Sequence, residues 1–141
     1  GLALGLALKG YHYQKMILIS PWVDIRMGND EMKEIESHDP VLSIMGLKKL
    51  GELWSLGELS YLTSPLIGNI EGLDNVFVFG GTNEIFLPDI RLFAARLNKT
   101  CRYFEYHNMN HGFVLHPIKE AKAAQNLVID IINNKYSVYS L

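Results

Sequence analysis

Cysteine is almost absent from this sequence. Cys101 stands alone, so no disulfide can close within the chain. A zinc site built on paired thiolates is excluded for the same reason, and the composition fits a reducing cytoplasm. An excess of either charge is also missing: 13 Lys and Arg against 15 Asp and Glu leave a net charge of −2. A sheath of phosphate-binding cations is therefore not expected, and neither is a nucleic-acid partner. No apolar run approaches the ~20 residues that a membrane span needs. The longest apolar stretch, residues 1–8, lacks the positively charged leader of a signal peptide.

What is present is a globular composition: 141 residues, 48% hydrophobic, 11% aromatic and 20% charged. That is enough apolar material for one domain with a buried core, and too much for a disordered chain. Leu2, Ala3, Leu4, Leu6, Ala7 and Leu8 read as a short helix that is apolar all round, the pattern of a helix surrounded by other elements. It opens at Gly1 with no capping side chain, although the first four N–H groups of a helix need partners. The expectation is a chain that continues a larger fold.

Met16-Ile17-Leu18-Ile19-Ser20, stopped by Pro21, reads as a strand buried on both faces. Val76-Phe77-Val78-Phe79, stopped by Gly80-Gly81, reads as a second. Arg102-Tyr103-Phe104-Glu105-Tyr106 mixes polar with apolar residues and suits a strand nearer an edge. Helical patterns lie between and beyond them. Asp39-Pro40 supplies an N-cap and a first-turn proline, ahead of Val41, Ile44, Met45, Leu47, Leu50 and Trp54. Ile90, Phe93, Ala94 and Leu97 recur at i, i+3, i+4 and i+7. Pro117 opens a last helix with Ala121, Ala124, Val128 and Ile131 on its apolar face and Asn133-Asn134 at its end. Strands alternating with helices predict an α/β fold with a three-stranded parallel sheet and flanking helices. The first crossover is long and leaves room for a small lid-like insertion, about residues 25–60.

Ligands of open parallel sheets bind beyond the carboxyl ends of the strands. The loop after the second strand, Gly80-Gly81-Thr82-Asn83-Glu84-Ile85, offers a carboxylate. The loop after the third, His107-Asn108-Met109-Asn110-His111-Gly112-Phe113, offers a histidine. A carboxylate holding an imidazole is two-thirds of a nucleophilic triad. A rival reading takes His107, His111 and His116 as metal ligands, but Gly112 and the loop-like residues 108–110 argue against the helix that His-x3-His requires. Gly80-Gly81-Thr82-Asn83 is not a phosphate-binding fingerprint, and its glycines are expected to let the backbone turn tightly. No metal and no cofactor is expected. Trp22, Trp54, Phe86 and Phe113 fit either an acyl pocket or plain core, and Asp24 fits a structural bond to the turn after Pro21. None of the eight serines, Ser20, Ser37, Ser43, Ser55, Ser60, Ser64, Ser137 and Ser140, sits in a G-x-S-x-G turn, and Cys101 precedes its strand. No nucleophile is visible.

Several pieces in order resemble the C-terminal half of a hormone-sensitive-lipase-like esterase of the α/β-hydrolase fold. Residues 1–8 resemble the helix that follows that family's nucleophile elbow. Ile19-Ser20-Pro21-Trp22-Val23-Asp24 is similar to the strand end that comes next. Tyr61-Leu62-Thr63-Ser64-Pro65-Leu66 and Glu71-Gly72-Leu73 resemble the approach to the penultimate strand. Gly81-Thr82-Asn83-Glu84-Ile85-Phe86-Leu87-Pro88-Asp89 is similar to the catalytic-acid loop, and Asn108-Met109-Asn110-His111-Gly112-Phe113 to the catalytic-histidine loop. The resemblance implies a partial α/β-hydrolase domain over residues 1–141. It implies His111 as general base and Glu84, where many members carry Asp, as triad acid, with Asp89 in reserve. The family's nucleophilic serine and His-Gly-Gly-Gly oxyanion motif have no counterpart here. The expected parent activity is hydrolysis of a small-molecule carboxylic ester, with the isolated chain inactive. A homo-oligomer or a complementary N-terminal half is expected to cover the edge of the first strand. The alternatives are a non-catalytic interaction module or pseudoenzyme, and a peptidase or acyltransferase of the same fold.

Overall fold

A computed structural model describes residues 1–136, so Ser137 and Ser140 lie outside the described residues. Three strands form one parallel sheet in the order β1 (Met16–Ile19), β2 (Val76–Gly81) and β3 (Cys101–Tyr106). Met16 pairs with Val76 and Val76 with Cys101, so the three strands start level and deliver their loops to the same end. Among the described residues five α-helices accompany them: α1 (Leu2–Leu8), α2 (Met32–Ile35), α3 (Ile44–Ser55), α4 (Leu87–Leu97) and α5 (Lys119–Ile132).

Side chains alternate across a strand, and β2 divides its residues between two cores accordingly. Val76 and Val78 pack on one face with Leu4, Met16, Leu18, Ile90, Phe93 and Leu97. Phe77 and Phe79 pack on the other with Phe113, Ala121, Ala124 and Ile131. β2 is buried along its whole length, as a central strand flanked by helices on both faces should be. The apolar faces read from the sequence of α4 and α5 are the faces that pack. Small Ala121 and Ala124, both fully buried, bring α5 close to the sheet. β1 is hydrogen-bonded only to β2 among the described residues, which leaves its outer edge open.

Three expectations need correction. Residues 2–8 are helical, but only Leu4 and Gly5 are buried, and Leu2 and Leu6 face solvent. The helix after Asp39-Pro40 begins later, with Ser43 as N-cap accepting the Gly46 N–H at 3.2 Å. Asp39 instead closes a turn by accepting the Val41 and Leu42 N–H groups, and its second oxygen takes the Ile85 N–H at 2.9 Å. A carboxylate engaged across the fold in that way does not start a helix at its own position. The third concerns α3, which buries only Leu47 and Gly51, so Met45, Leu50 and Trp54 stand outside the core that their spacing suggests.

Candidate active site

Glu84 and His111 come from loops 27 positions apart in sequence and meet at the carboxyl end of the sheet. Their meeting depends on how the two loops are joined. The Thr82 N–H donates to the Tyr106 carbonyl and the Asn83 N–H to the Met109 carbonyl. The Thr82 hydroxyl accepts the Asn108 N–H at 2.8 Å. Gly81 makes this approach possible, because a Cβ there would collide with the backbone carbonyl of Met109. Neither Gly80 nor Gly81 has a positive φ. The glycine pair therefore serves close approach between loops, and the expected tight turn is not its role.

Glu84 is fully buried, and both carboxylate oxygens are engaged. Oε1 accepts the Gly81 N–H at 2.7 Å and the Ser20 hydroxyl at 3.2 Å. Oε2 lies 3.1 Å from Nδ1 of His111. With the proton on Nδ1 the imidazole donates to this oxygen, which leaves Nε2 without a hydrogen-bond partner among the described residues. The ring keeps 29% of its side-chain surface exposed, while the carboxylate behind it has none. Phe86 packs edge-on against the imidazole at 5.3 Å and stacks on Trp22 at 5.6 Å. An apolar wall thus borders the histidine. Phe113 is fully buried in the second core, and Trp54 is well exposed; neither lines this site.

Asp89 lies elsewhere, in the first turn of α4, accepting a hydrogen bond from the Asn29 side chain at 3.1 Å. Burial, reinforced by the nearby Asp24 charge, pushes its carboxyl up to about 6, although the Asn29 hydrogen bond and the Arg26 charge pull the other way. Asp24 behaves in the opposite manner. Burial pushes it up, but hydrogen bonds from the Arg26 side chain, the Arg26 amide and the Ser64 hydroxyl outweigh that and hold it below the usual carboxylate range. Asp24 thereby ties the segment after β1 to residue 64, a longer reach than the local turn expected of it.

The three histidines of the rival metal reading are not gathered: among the described residues no three His, Cys, Asp or Glu side chains converge on one point. Cys101 sits at the start of β3, far from the loop end, and burial pushes its thiol up to about 11. It is no nucleophile. No helix among the described residues is long and apolar enough to cross a membrane. The residue that the sequence reading missed is Ser20, whose hydroxyl touches both loops. Its sequence signals were its place at the end of the first apolar run and at the head of the strand-end loop Ser20-Pro21-Trp22-Val23-Asp24, and neither gave it this role.

The sequence pattern that defines the alpha/beta hydrolase fold matches residues 2–115. An esterase of Acinetobacter venetianus is 31% identical over 108 residues, covering 67% of this chain and 33% of that protein. The crystal structure of a candidate esterase from Staphylococcus aureus is similar at 29% identity and a TM-score of 0.86, over 94% of this chain and 48% of that one. An esterase from the bacterial hormone-sensitive lipase family shares the fold at 20% identity, with a TM-score of 0.74 over 86% of this chain and 44% of the other. The chain thus spans half or less of the length of each of these proteins.

Proposed function

The chain belongs to the alpha/beta hydrolase fold family, and from that premise we propose that it carries the acid and base of a serine carboxylic ester hydrolase. The observation that carries this reading is the 3.1 Å contact between a fully buried Glu84 and His111 Nδ1 at the loop end of a parallel sheet. In the proposed reaction, His111 Nε2 takes the proton of a serine hydroxyl as that oxygen bonds to the ester carbonyl carbon. The same nitrogen returns the proton to the leaving alcohol oxygen as the C–O bond breaks. Water then repeats the cycle on the acyl-enzyme and releases the acid. Glu84 holds Nδ1–H throughout and stabilises the imidazolium.

The serine belongs, on this reading, to polypeptide outside these 141 residues. Ser20 and Ser64 spend their hydroxyls on buried carboxylates, and no described serine stands in a strand–turn–helix elbow. A strand ahead of α1 would reach the open edge of β1 by the usual right-handed crossover, so the proposed partner of that edge is the half that bears the nucleophile. A second copy of the chain is the competing occupant. Residues 25–60 are assigned as a small insertion over the loop end. The bond from Ile85 to Asp39, beside Glu84, supports that placement.

The test is hydrolysis of p-nitrophenyl esters by the chain alone and by the chain joined to the N-terminal half of a hydrolase of this family. Turnover only in the joined form is expected. Turnover by the isolated chain, verified by active-site titration, would refute the assignment of the nucleophile. Peptide and alcohol-acceptor assays on the joined form separate an esterase from a peptidase or an acyltransferase. A joined form that folds and catalyses none of these reactions points to the non-catalytic module.

A further inference from the structure

Ser20 directly follows β1 with a φ of +47°, in the left-handed region, and it precedes Pro21. Residues before proline are pushed towards extended backbone, and a non-glycine residue in the left-handed region is strained. Glycine would take this conformation without that strain. The position nevertheless holds a hydroxyl, buried to 4% exposure. That hydroxyl uses its donor and accepts a bond as well. It donates to Glu84 Oε1 at 3.2 Å and accepts the Gly112 N–H at 2.9 Å.

The two partners sit on either side of the Glu84–His111 contact. Glu84 Oε1 is the oxygen that does not face the imidazole, so holding it fixes how the carboxylate presents Oε2. The Gly112 amide is joined directly to the carbonyl carbon of His111, so holding it fixes the backbone from which the imidazole projects. Gly112 itself has a φ of +69°, the left-handed backbone that glycine takes readily, and Ser20 holds the amide at its start. One hydroxyl just past the end of β1 therefore ties together the loops that follow β2 and β3. Small displacements of a base and its orienting acid are costly, because proton transfer depends on their alignment.

We propose that Ser20 is a positioning residue for the acid–base pair, its hydroxyl locking the Glu84 carboxylate and the His111–Gly112 peptide into the geometry that keeps the proton on Nδ1 and Nε2 free. This rests on reading Glu84 and His111 as the functional pair, and the experiment separates the two claims. Ring ¹H–¹⁵N NMR of the 141-residue chain, above the pH at which its imidazoles titrate, reports the His111 tautomer and the exchange of its Nδ1 proton with water. The parent chain is expected to show a single, slowly exchanging Nδ1–H form.

Ser20→Gly removes the hydroxyl while relieving the backbone. It should leave the melting temperature unchanged or higher, yet admit the Nε2–H tautomer and speed Nδ1 proton exchange by about tenfold, the loss of roughly one buried hydrogen bond. A merely structural serine would not move those ring signals in a variant that is no less stable. Ser20→Ala, the second variant, should loosen the ring equally. A parent without the Nδ1–H signal overturns the pair itself, and the Ser20 proposal with it. A parent that shows the signal, with either folded variant keeping it and its exchange rate unchanged, overturns the Ser20 proposal alone.

Discussion

The loop end of the sheet and the α1–α3 side of the molecule treat their residues in opposite ways. At the loop end, charged and polar groups are buried and satisfied: Glu84 is fully enclosed with three partners, and Asp24, Asp39, Ser20 and Ser64 are buried and bonded. On the other side, apolar groups are exposed. Leu2, Met45, Leu53, Trp54 and Leu56 keep between 65% and 90% of their surface in water. Burying a carboxylate is costly unless hydrogen bonds replace its water, so the loop end is a structure that this chain completes by itself. Exposed leucines and a tryptophan on neighbouring helices instead make an apolar surface that nothing among the described residues covers. The difference separates a loop end whose buried polar groups are bonded within the chain from a helical side whose apolar groups stay in water.

Gly81→Ala attacks the loop end most severely. Its Cβ would push the Met109 carbonyl away, separating the loops that carry Glu84 and His111. Urea unfolding should show a loss of about 3 kcal/mol, with the Nδ1–H signal of His111 lost as well. If stability and signal both survive, the two loops are not held by the contact described.

Asp89→Asn should act with the opposite sign. The folded-state carboxyl is raised to about 6, so the folded chain holds its proton more tightly than the unfolded chain does. Stability from this group is full below the ordinary aspartate range and falls as pH rises through about 6. Asparagine keeps an acceptor for Asn29 and removes that dependence. The variant should match the parent near pH 4 and gain roughly 1–3 kcal/mol at pH 7. A variant less stable than the parent at pH 7 would show that the ionised carboxylate is welcome at the start of α4.

Trp54→Ser should do least to folding, within about 0.5 kcal/mol in the isolated chain, because Trp54 is 66% exposed. It should instead weaken association, read by sedimentation velocity against concentration. A large loss of stability would mean that the apolar side supports the fold, which ends the contrast between the two regions.

How much was legible in the sequence follows the same division. The strands were readable because continuous apolar runs end at Pro21 and Gly80; β2 is buried along its length as read, whereas β1 buries Met16 and Leu18 and leaves Ile17 and Ile19 half-buried, so burial on both faces holds for β2 alone. The apolar faces of α4 and α5 were readable because both helices pack within the chain itself. The face of α3 followed the same periodicity and misled, since spacing identifies an apolar side without saying which molecule covers it. Asp39 misled for a different reason: its carboxylate serves the Ile85 amide, a contact made 46 positions away. Glu84 and His111 could be singled out by residue type and loop order. Ser20 could not, because a positive φ and two long-range hydrogen bonds leave no trace in the name of the residue.

The central claim is that Glu84, and not Asp89, serves His111. The direct test is steady-state ester hydrolysis by the joined enzyme carrying Glu84→Gln or Asp89→Asn. With Glu84→Gln, kcat should fall by about 10³–10⁴-fold with KM little changed. With Asp89→Asn, both constants should stay near those of the parent. A crippled Asp89→Asn beside an active Glu84→Gln would contradict the account.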